Sequence, residues 1–214
     1  MPHTETIING IWYPSVSTIL GVEEKPWLTA WKDKWGYLAE RKTAMASKIG
    51  TEFHRCVEEY LDDGCFLVSC DIPYSMGRRI EGMMGSFIRW ADNIDGVIHA
   101  TELRVVSRKY AYSGTLDAVG RFGKKLIIVD WKTSSKIYPE AELQLAAYAE
   151  AYNERCESRA DYVKNGLIVH VSKSKPDFKL TTKAFKLGKR PLARFLKLRA
   201  NFDDASHLPI TTEV

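Results

Sequence analysis

Asp117, Asp130 and Lys132 are the residues around which chemistry can be built in this sequence. The stretch Leu126–Val129 is continuously apolar, as in a central strand buried on both faces, and Asp130-Trp131-Lys132-Thr133 follows it directly. Side chains on a strand repeat every second residue, so Asp130 and Lys132 share a face. Charges at the end of a buried strand are costly unless something compensates them. Ser113-Gly114-Thr115-Leu116-Asp117 belongs to the preceding strand and brings Asp117 alongside, with Glu102 on the strand before that. Carboxylates that converge on one sheet face repel each other, and a hard divalent cation resolves the conflict. Mg²⁺ suits such oxygen ligands, the Trp131 carbonyl included, and Mn²⁺ is expected to substitute. The metal would acidify a bound water and neutralise phosphate charge, while Lys132 positions the water or stabilises a pentacovalent transition state. These residue types point to metal-assisted hydrolysis of a phosphodiester. The plainer alternative is an Asp130–Lys132 salt bridge with Asp117 as a turn residue, which is disfavoured because buried ion pairs seldom offset their desolvation.

Helices and strands must position this set. Ser15 or Ser17 can cap a short helix through Leu20, with Pro14 ahead of it. Pro26 opens a helix whose Trp27, Trp31 and Trp35 share one face. A longer helix is predicted from about Ala44 to Leu61, ended by Asp62-Asp63-Gly64, and another from about Met76 to Asn93. The period then changes. His99–Ser107, Thr115–Phe122 and Leu126–Val129 read as strands, the last two forming a hairpin around Gly123-Lys124-Lys125. A helix from Pro139 to about Arg155 follows, then a strand over Gly166–Val171 and a turn at Pro176-Asp177. A short strand over Phe178–Thr182 and a basic helix from about Thr182 to Phe202 close the chain. This order predicts an α/β fold, a small mixed central sheet flanked by helices, with an N-terminal helical elaboration. One domain is expected over 1–214, with 1–97 mainly helical and 98–214 forming the core.

The chain has 214 residues and a formal charge of only +4, but the last third is rich in Lys and Arg. Such a stretch suits a phosphate backbone if it faces one way, and is equally a solvated helix face. No segment approaches the ~20 apolar residues of a membrane span, so no membrane partner is expected. Met1–Gly10 lacks the pattern of a secretory or mitochondrial leader, so a cytoplasmic protein is expected, and the compact length without a helicase points to a bacterial or phage-infected cell. Cys56, Cys65, Cys70 and Cys156 form no C-x-x-C pair, which argues against a zinc ribbon and for free thiols. No phosphate loop of a helicase is present, so unwinding of a duplex must come from a separate partner.

Three segments together resemble the PD-(D/E)xK nuclease superfamily in its RecB-type exonuclease branch. They are Gly114-Thr115-Leu116-Asp117-Ala118, Ile128-Val129-Asp130-Trp131-Lys132-Thr133 and Gln144-Leu145-Ala146-Ala147-Tyr148, and upstream Gly50-Thr51-Glu52-Phe53-His54 is similar to the helix motif of that branch. The resemblance spans about Pro14 to Tyr152. Leu116 replaces the proline of the superfamily name. The C-terminal cysteines that hold an iron–sulfur cluster in several relatives are missing, so no cluster is expected.

The resemblance implies a restriction-endonuclease-like core and DNA exonuclease activity on ends, single strands preferred, with roles in DNA repair and recombination. It implies a helicase or single-strand-binding protein as a separate partner. Carried over residue by residue, it places His54, Glu102, Asp117 and Asp130 around the metal and makes Lys132 catalytic. A histidine with Glu58 one turn later is also an ordinary structural pair. Gln144 and Tyr148 share a helix face, either to orient DNA or Lys132 or simply to pack. Ser15, Ser17 and Thr18 can hold a phosphate at a helix start or act as plain caps. Thr115, Thr133, Lys136, Lys173 and Lys175 are the further candidates for DNA contact. The N-terminal tryptophans could stack unpaired bases, although core packing is the first expectation for such rings. A structure-specific endonuclease acting on flaps or junctions, and a non-catalytic nucleic-acid-binding module, are the competing functions. A narrow passage over the site favours the exonuclease and an open groove the endonuclease.

Overall fold

The computed structural model describes residues 6–173 and 177–205. It begins with a hairpin, β1 (Thr6–Ile8) and β2 (Ile11–Tyr13). Asn9 (φ 52°) and Gly10 (φ 77°) make its turn, since left-handed backbone at both central positions matches the twist of paired strands. Sequence reading treated this region as helical and passed over the Asn-Gly signal. Helix α1 (Val16–Leu20) follows, with Ser15 as its cap. Helix α2 (Pro26–Trp35) starts on its proline as expected, yet none of its residues is buried.

Helix α3 runs from Leu38 to Asp63, starting at Leu38 rather than near Ala44, because Leu38–Lys42 are good helix formers without a breaker. Gly64 ends it in a left-handed conformation (φ 73°), its N–H donating to the Tyr60 carbonyl at 3.0 Å. Helix α4 (Tyr74–Ala91) completes this part.

The sheet contains β3 (Gly96–Ser107), β4 (Tyr112–Phe122), β5 (Lys125–Lys132), β6 (Asn165–Val171) and β7 (Leu180–Lys186), hydrogen-bonded in that order. All neighbours are antiparallel except β5 and β6. That parallel pair requires a crossover, and α5 (Glu140–Asn153) supplies it. The restriction-endonuclease-like architecture expected from the sequence is therefore present. Strand β7 extends to Lys186 and α6 (Lys189–Ala205) starts after it, where the sequence suggested a strand ending at Thr182 and a helix from there. Full pairing with β6, from Asn165↔Lys186 to Val171↔Leu180, outweighs the helix propensity of the lysines.

The sheet separates two cores. Helices α1, α5 and α6 cover one face, with Ile19, Tyr112, Leu116, Ile128, Leu145 and Phe195 fully buried. Helices α3 and α4 cover the other, with Phe53, Phe87, Val129 and Trp131. Among the described residues no helix is long and apolar enough to cross a membrane.

Candidate active site

Strand β5 alternates as a doubly buried strand must. Ile128 enters the α5-side core and Val129 the α3-side core. Trp131 also enters the α3 side, edge-on to Phe87 (5.2 Å) and Trp90 (5.9 Å). That anchor turns Asp130 and Lys132 to the α5 side. Lys132 Nζ donates to Asp130 Oδ1 (2.8 Å) and to Gln144 Oε1 (2.9 Å). Gln144 Nε2 in turn donates to the Tyr148 hydroxyl (3.2 Å), one turn further along α5. The Tyr148 ring lies over Gly114, where an added Cβ would come within 2.6 Å of it.

Glu102 and Asp117 face each other at an irregular rung. Thr101 pairs with Ala118 and Leu103 with Leu116, leaving these two residues between them. Leu116 belongs to the α5-side core and Ala118 to the α3-side core, although residues two apart on a regular strand share a face. Strand β3 changes sides in the same stretch: Ala100 and Leu103, three residues apart, both pack on the α5-side core. Glu102 has a left-handed backbone (φ 45°), which costs about 1–3 kcal/mol and is concentrated at functional sites. The double change of sides leaves the pair out of the pleat. Asp117 Oδ2 then accepts from the Trp131 amide (2.7 Å).

His54 reaches the same place from α3, its Nδ1 3.7 Å from Asp117 Oδ2. Among the described residues, His54, Glu102 and Asp117 form a group whose ligand atoms all lie within 4.8 Å of one another. Asp130 stands outside that group. It is 1% exposed, and its Oδ2 is buried with no hydrogen-bond partner. A buried carboxylate oxygen without a donor is expensive, so this orphan is a vacancy in the bonding of the chain itself. Three carboxylates and one imidazole fit a divalent cation of the Mg²⁺ or Mn²⁺ type.

The electrostatics agree. Burial, then the charges of Asp117 and Glu58, push Glu102 up to about 7. Burial also raises Asp117 and Asp130 to about 6, against the pull of Lys132. Burial and the Lys132 charge lower His54 to about 4, so the ring is neutral near pH 7 and able to ligate. Its contact with Asp117 is accordingly not an ion pair. Burial alone would lower Lys132, but Asp130 and Asp117 more than offset it and hold the ammonium above its ordinary range. Lys132 is therefore a fixed cation rather than a base.

A pocket of about 250 Å³ is lined by Gly50, Thr51, His54, Glu102 and Asp117. It adjoins a larger cleft of about 860 Å³ through Gly50 and His54, which line both. Lys132, Thr133 and Lys173 also line the cleft. Lys173 donates to the Ala46 carbonyl (2.8 Å), and burial with the nearby Arg79 charge lowers it to about 8. Lys136 stands at the rim, over the Tyr138 ring (5.2 Å). The other candidates are not brought to this cleft. Thr115 is exposed on β4 opposite Arg104. The Ser15 hydroxyl caps α1, accepting from the Thr18 amide (3.0 Å), and bonds the hydroxyls of Ser17 (3.0 Å) and Thr18 (2.7 Å). Lys175 lies outside the described residues. Sequence reasoning missed Lys42, Ser47 and Tyr138, which also line the cleft. No sequence signal separates such residues from an ordinary solvated surface.

A carboxylate cluster beside a fixed lysine at the exposed end of a β-hairpin, on a mixed sheet with an α-helical crossover, defines a class of phosphodiesterases. The PD-(D/E)XK nuclease superfamily profile matches residues 72–205, and the chain belongs to that family. Mitochondrial genome maintenance exonuclease 1 of Xenopus tropicalis is 29% identical over 175 residues, covering 72% of this chain. The chain spans 46% of that relative. The crystal structure of an alkaline exonuclease from Laribacter hongkongensis superposes with a TM-score of 0.50 at 13% identity, covering 90% of this chain and 87% of that one. At that identity the likeness is one of fold.

Proposed function

We propose that this protein is a divalent-metal-dependent deoxyribonuclease that hydrolyses phosphodiester bonds from DNA ends, with single strands preferred. The observation that carries the reading is the carboxylate cluster of Glu102, Asp117 and Asp130, with the buried Asp130 Oδ2 lacking a donor, beside the fixed Lys132 cation. In this reading 1–214 acts as one nuclease domain, 1–97 lending His54 and the walls of the cleft and 98–214 the catalytic core. His54, Glu102 and Asp117, with Asp130 Oδ2 and the Trp131 carbonyl, would hold the ion. Mg²⁺, or Mn²⁺ in its place, would acidify a bound water and neutralise charge on the phosphate. Lys132 offers a positive charge to the phosphoryl oxygens as negative charge builds there. Gln144 keeps the Lys132 ammonium in place, and Tyr148 keeps Gln144 in place.

The exonuclease reading is supported over the endonuclease by the surroundings of the cleft. Helix α2 continues into α3 at one end. At the other it is tied to the start of α5 by stacking of Trp27 on Tyr138 (4.6 Å, 16°) and by Lys25–Glu140 (3.3 Å). Chain thus bounds the cleft along α2, α3 and the start of α5, and such a wall favours entry of a free end. The name of the Xenopus tropicalis relative includes exonuclease, which accords with this reading.

The test is digestion of end-labelled single-stranded DNA, linear against circular, with Mg²⁺ or EDTA, for wild type and Lys132→Ala. Metal-dependent loss of linear DNA alone, abolished by the substitution, is the expected result. Cutting of circles would replace the exonuclease with an endonuclease. Salt-sensitive binding without cleavage in Mg²⁺ would leave a binding module.

A further inference from the structure

We propose that Trp27 and Trp31 of α2 form a base-stacking subsite for unpaired nucleotides, so that this wall gives the site its preference for single strands. The inference rests on the nuclease reading above and adds to it the residues that would recognise bases.

Helix α2 carries three tryptophans and buries none, with Trp27 46% and Trp35 36% exposed. Partly exposed indoles clustered on one helix form the kind of apolar patch that marks interaction sites. Trp35 is already covered by the Lys42 ammonium, 3.7 Å from the ring centroid. Trp27 and Trp31 are one turn apart, share a face, and both line the large cleft. The wall is braced, because Trp27 stacks on Tyr138 and Lys25 pairs with Glu140. The Trp27 ring therefore needs little reorganisation to receive a flat partner on its free side.

The rest of the cleft indicates what that partner is. Lys42, Lys132 and Lys173 line it together with the hydroxyls of Thr133, Ser134 and Ser135, and among the described residues no carboxylate lines it. Cations and hydroxyls suit phosphate oxygens, and aromatic faces suit bases of any sequence. The cleft also runs into the carboxylate pocket through Gly50 and His54, so a strand seated on the wall continues to the reacting phosphate. Bases paired in a duplex are stacked on one another and have no free face to offer, so the wall selects for unpaired ones.

The experiment is a binding titration in EDTA of a labelled oligothymidylate against a strand of the same length lacking every base. Wild type, Trp27→Ala/Trp31→Ala and Trp27→Phe/Trp31→Phe are compared, with circular dichroism verifying that each is folded. Wild type is expected to bind the thymidylate about tenfold more tightly than the abasic strand. The alanine pair should lose that difference while binding the abasic strand unchanged, and the phenylalanine pair should keep most of it. Equal weakening on both strands, or no base dependence in wild type, would overturn the subsite. So would tighter wild-type binding to a duplex of the same length. Mg²⁺-dependent cleavage is measured separately on the same variants. Cleavage without base dependence sinks the wall alone, and base dependence without cleavage sinks the nuclease reading alone.

Discussion

Glu52 and His54 lie two residues apart on α3, and the two regions they serve are built on opposite rules. Glu52 is a carboxylate with its donors supplied by the chain. It accepts from the Ser69 amide (2.6 Å) and from Arg55 Nε (3.1 Å), and Arg55 also bonds Glu59 and the Leu67 carbonyl. The Arg55 hydrogen bond, opposed by burial, holds its carboxyl below the ordinary range. The pocket around His54 gathers Glu102 and Asp117 with Asp130 close by, and burial raises all three. Asp130 Oδ2 has no donor at all. A saturated carboxylate belongs to the fold, here pinning the segment after α3. Carboxylates gathered with one buried oxygen left without a donor await something that the polypeptide does not contain.

The contrast can be broken at four points. The largest effect is expected at Lys132, where Lys132→Ala should lower Mg²⁺-dependent cleavage by about 10²–10³-fold, as for loss of a charge-stabilising donor, read from initial rates. On the saturated side, Glu52→Gln should leave the cleavage rate near wild type but lower stability by about 1–2 kcal/mol in urea unfolding, because Arg55 loses one of its two charged partners. If Glu52→Gln impaired cleavage as strongly as Lys132→Ala, the division between the two regions would be wrong. Gly114→Ala should reduce the cleavage rate about tenfold by pushing Tyr148 off Gln144, with Mg²⁺ affinity by calorimetry unchanged.

The smallest effect is a pH dependence of the metal-free protein. Glu102, Asp117 and Asp130 have folded values raised above their unfolded ones, to about 7, 6 and 6. Their ionisation opposes folding, so the melting temperature in EDTA should rise as pH falls from 8 to about 6.5. Below 6.5 the lowered His54 value, about 4, works the other way, because protonating the buried ring costs stability. Glu52, with its lowered value, contributes stability that is lost only at still more acid pH. Mg²⁺ should raise the melting temperature most at pH 8, where protons compete least. A melting temperature that falls steadily from pH 8 would show that these carboxylates are not strained in the metal-free state.

The parts of this site legible in the sequence were those with a period. An apolar strand ending in Asp-x-Lys fixes the side of Asp130 and Lys132, and a four-residue spacing puts Gln144 and Tyr148 on one face of α5. The Asn9-Gly10 hairpin was equally legible and was overlooked among helical neighbours. The rung at Glu102 and Asp117 was not legible, because two strands change sides there together and neither change leaves a mark in residue type. The exposure of α2 was hidden for a similar reason. Its tryptophan spacing is that of a core-facing helix, and only the placement of α3 and the start of α5 shows that no core lies beneath it.

That double change of sides has a consequence for anyone who would move this chemistry elsewhere. A scaffold offering aspartates at the spacing of Asp117 and Asp130 on an ordinary hairpin would set them opposite each other on one face, without turning Asp117 toward His54 on α3. What has to be grafted is the defect in the sheet, left-handed Glu102 included, and the residue letters follow from it.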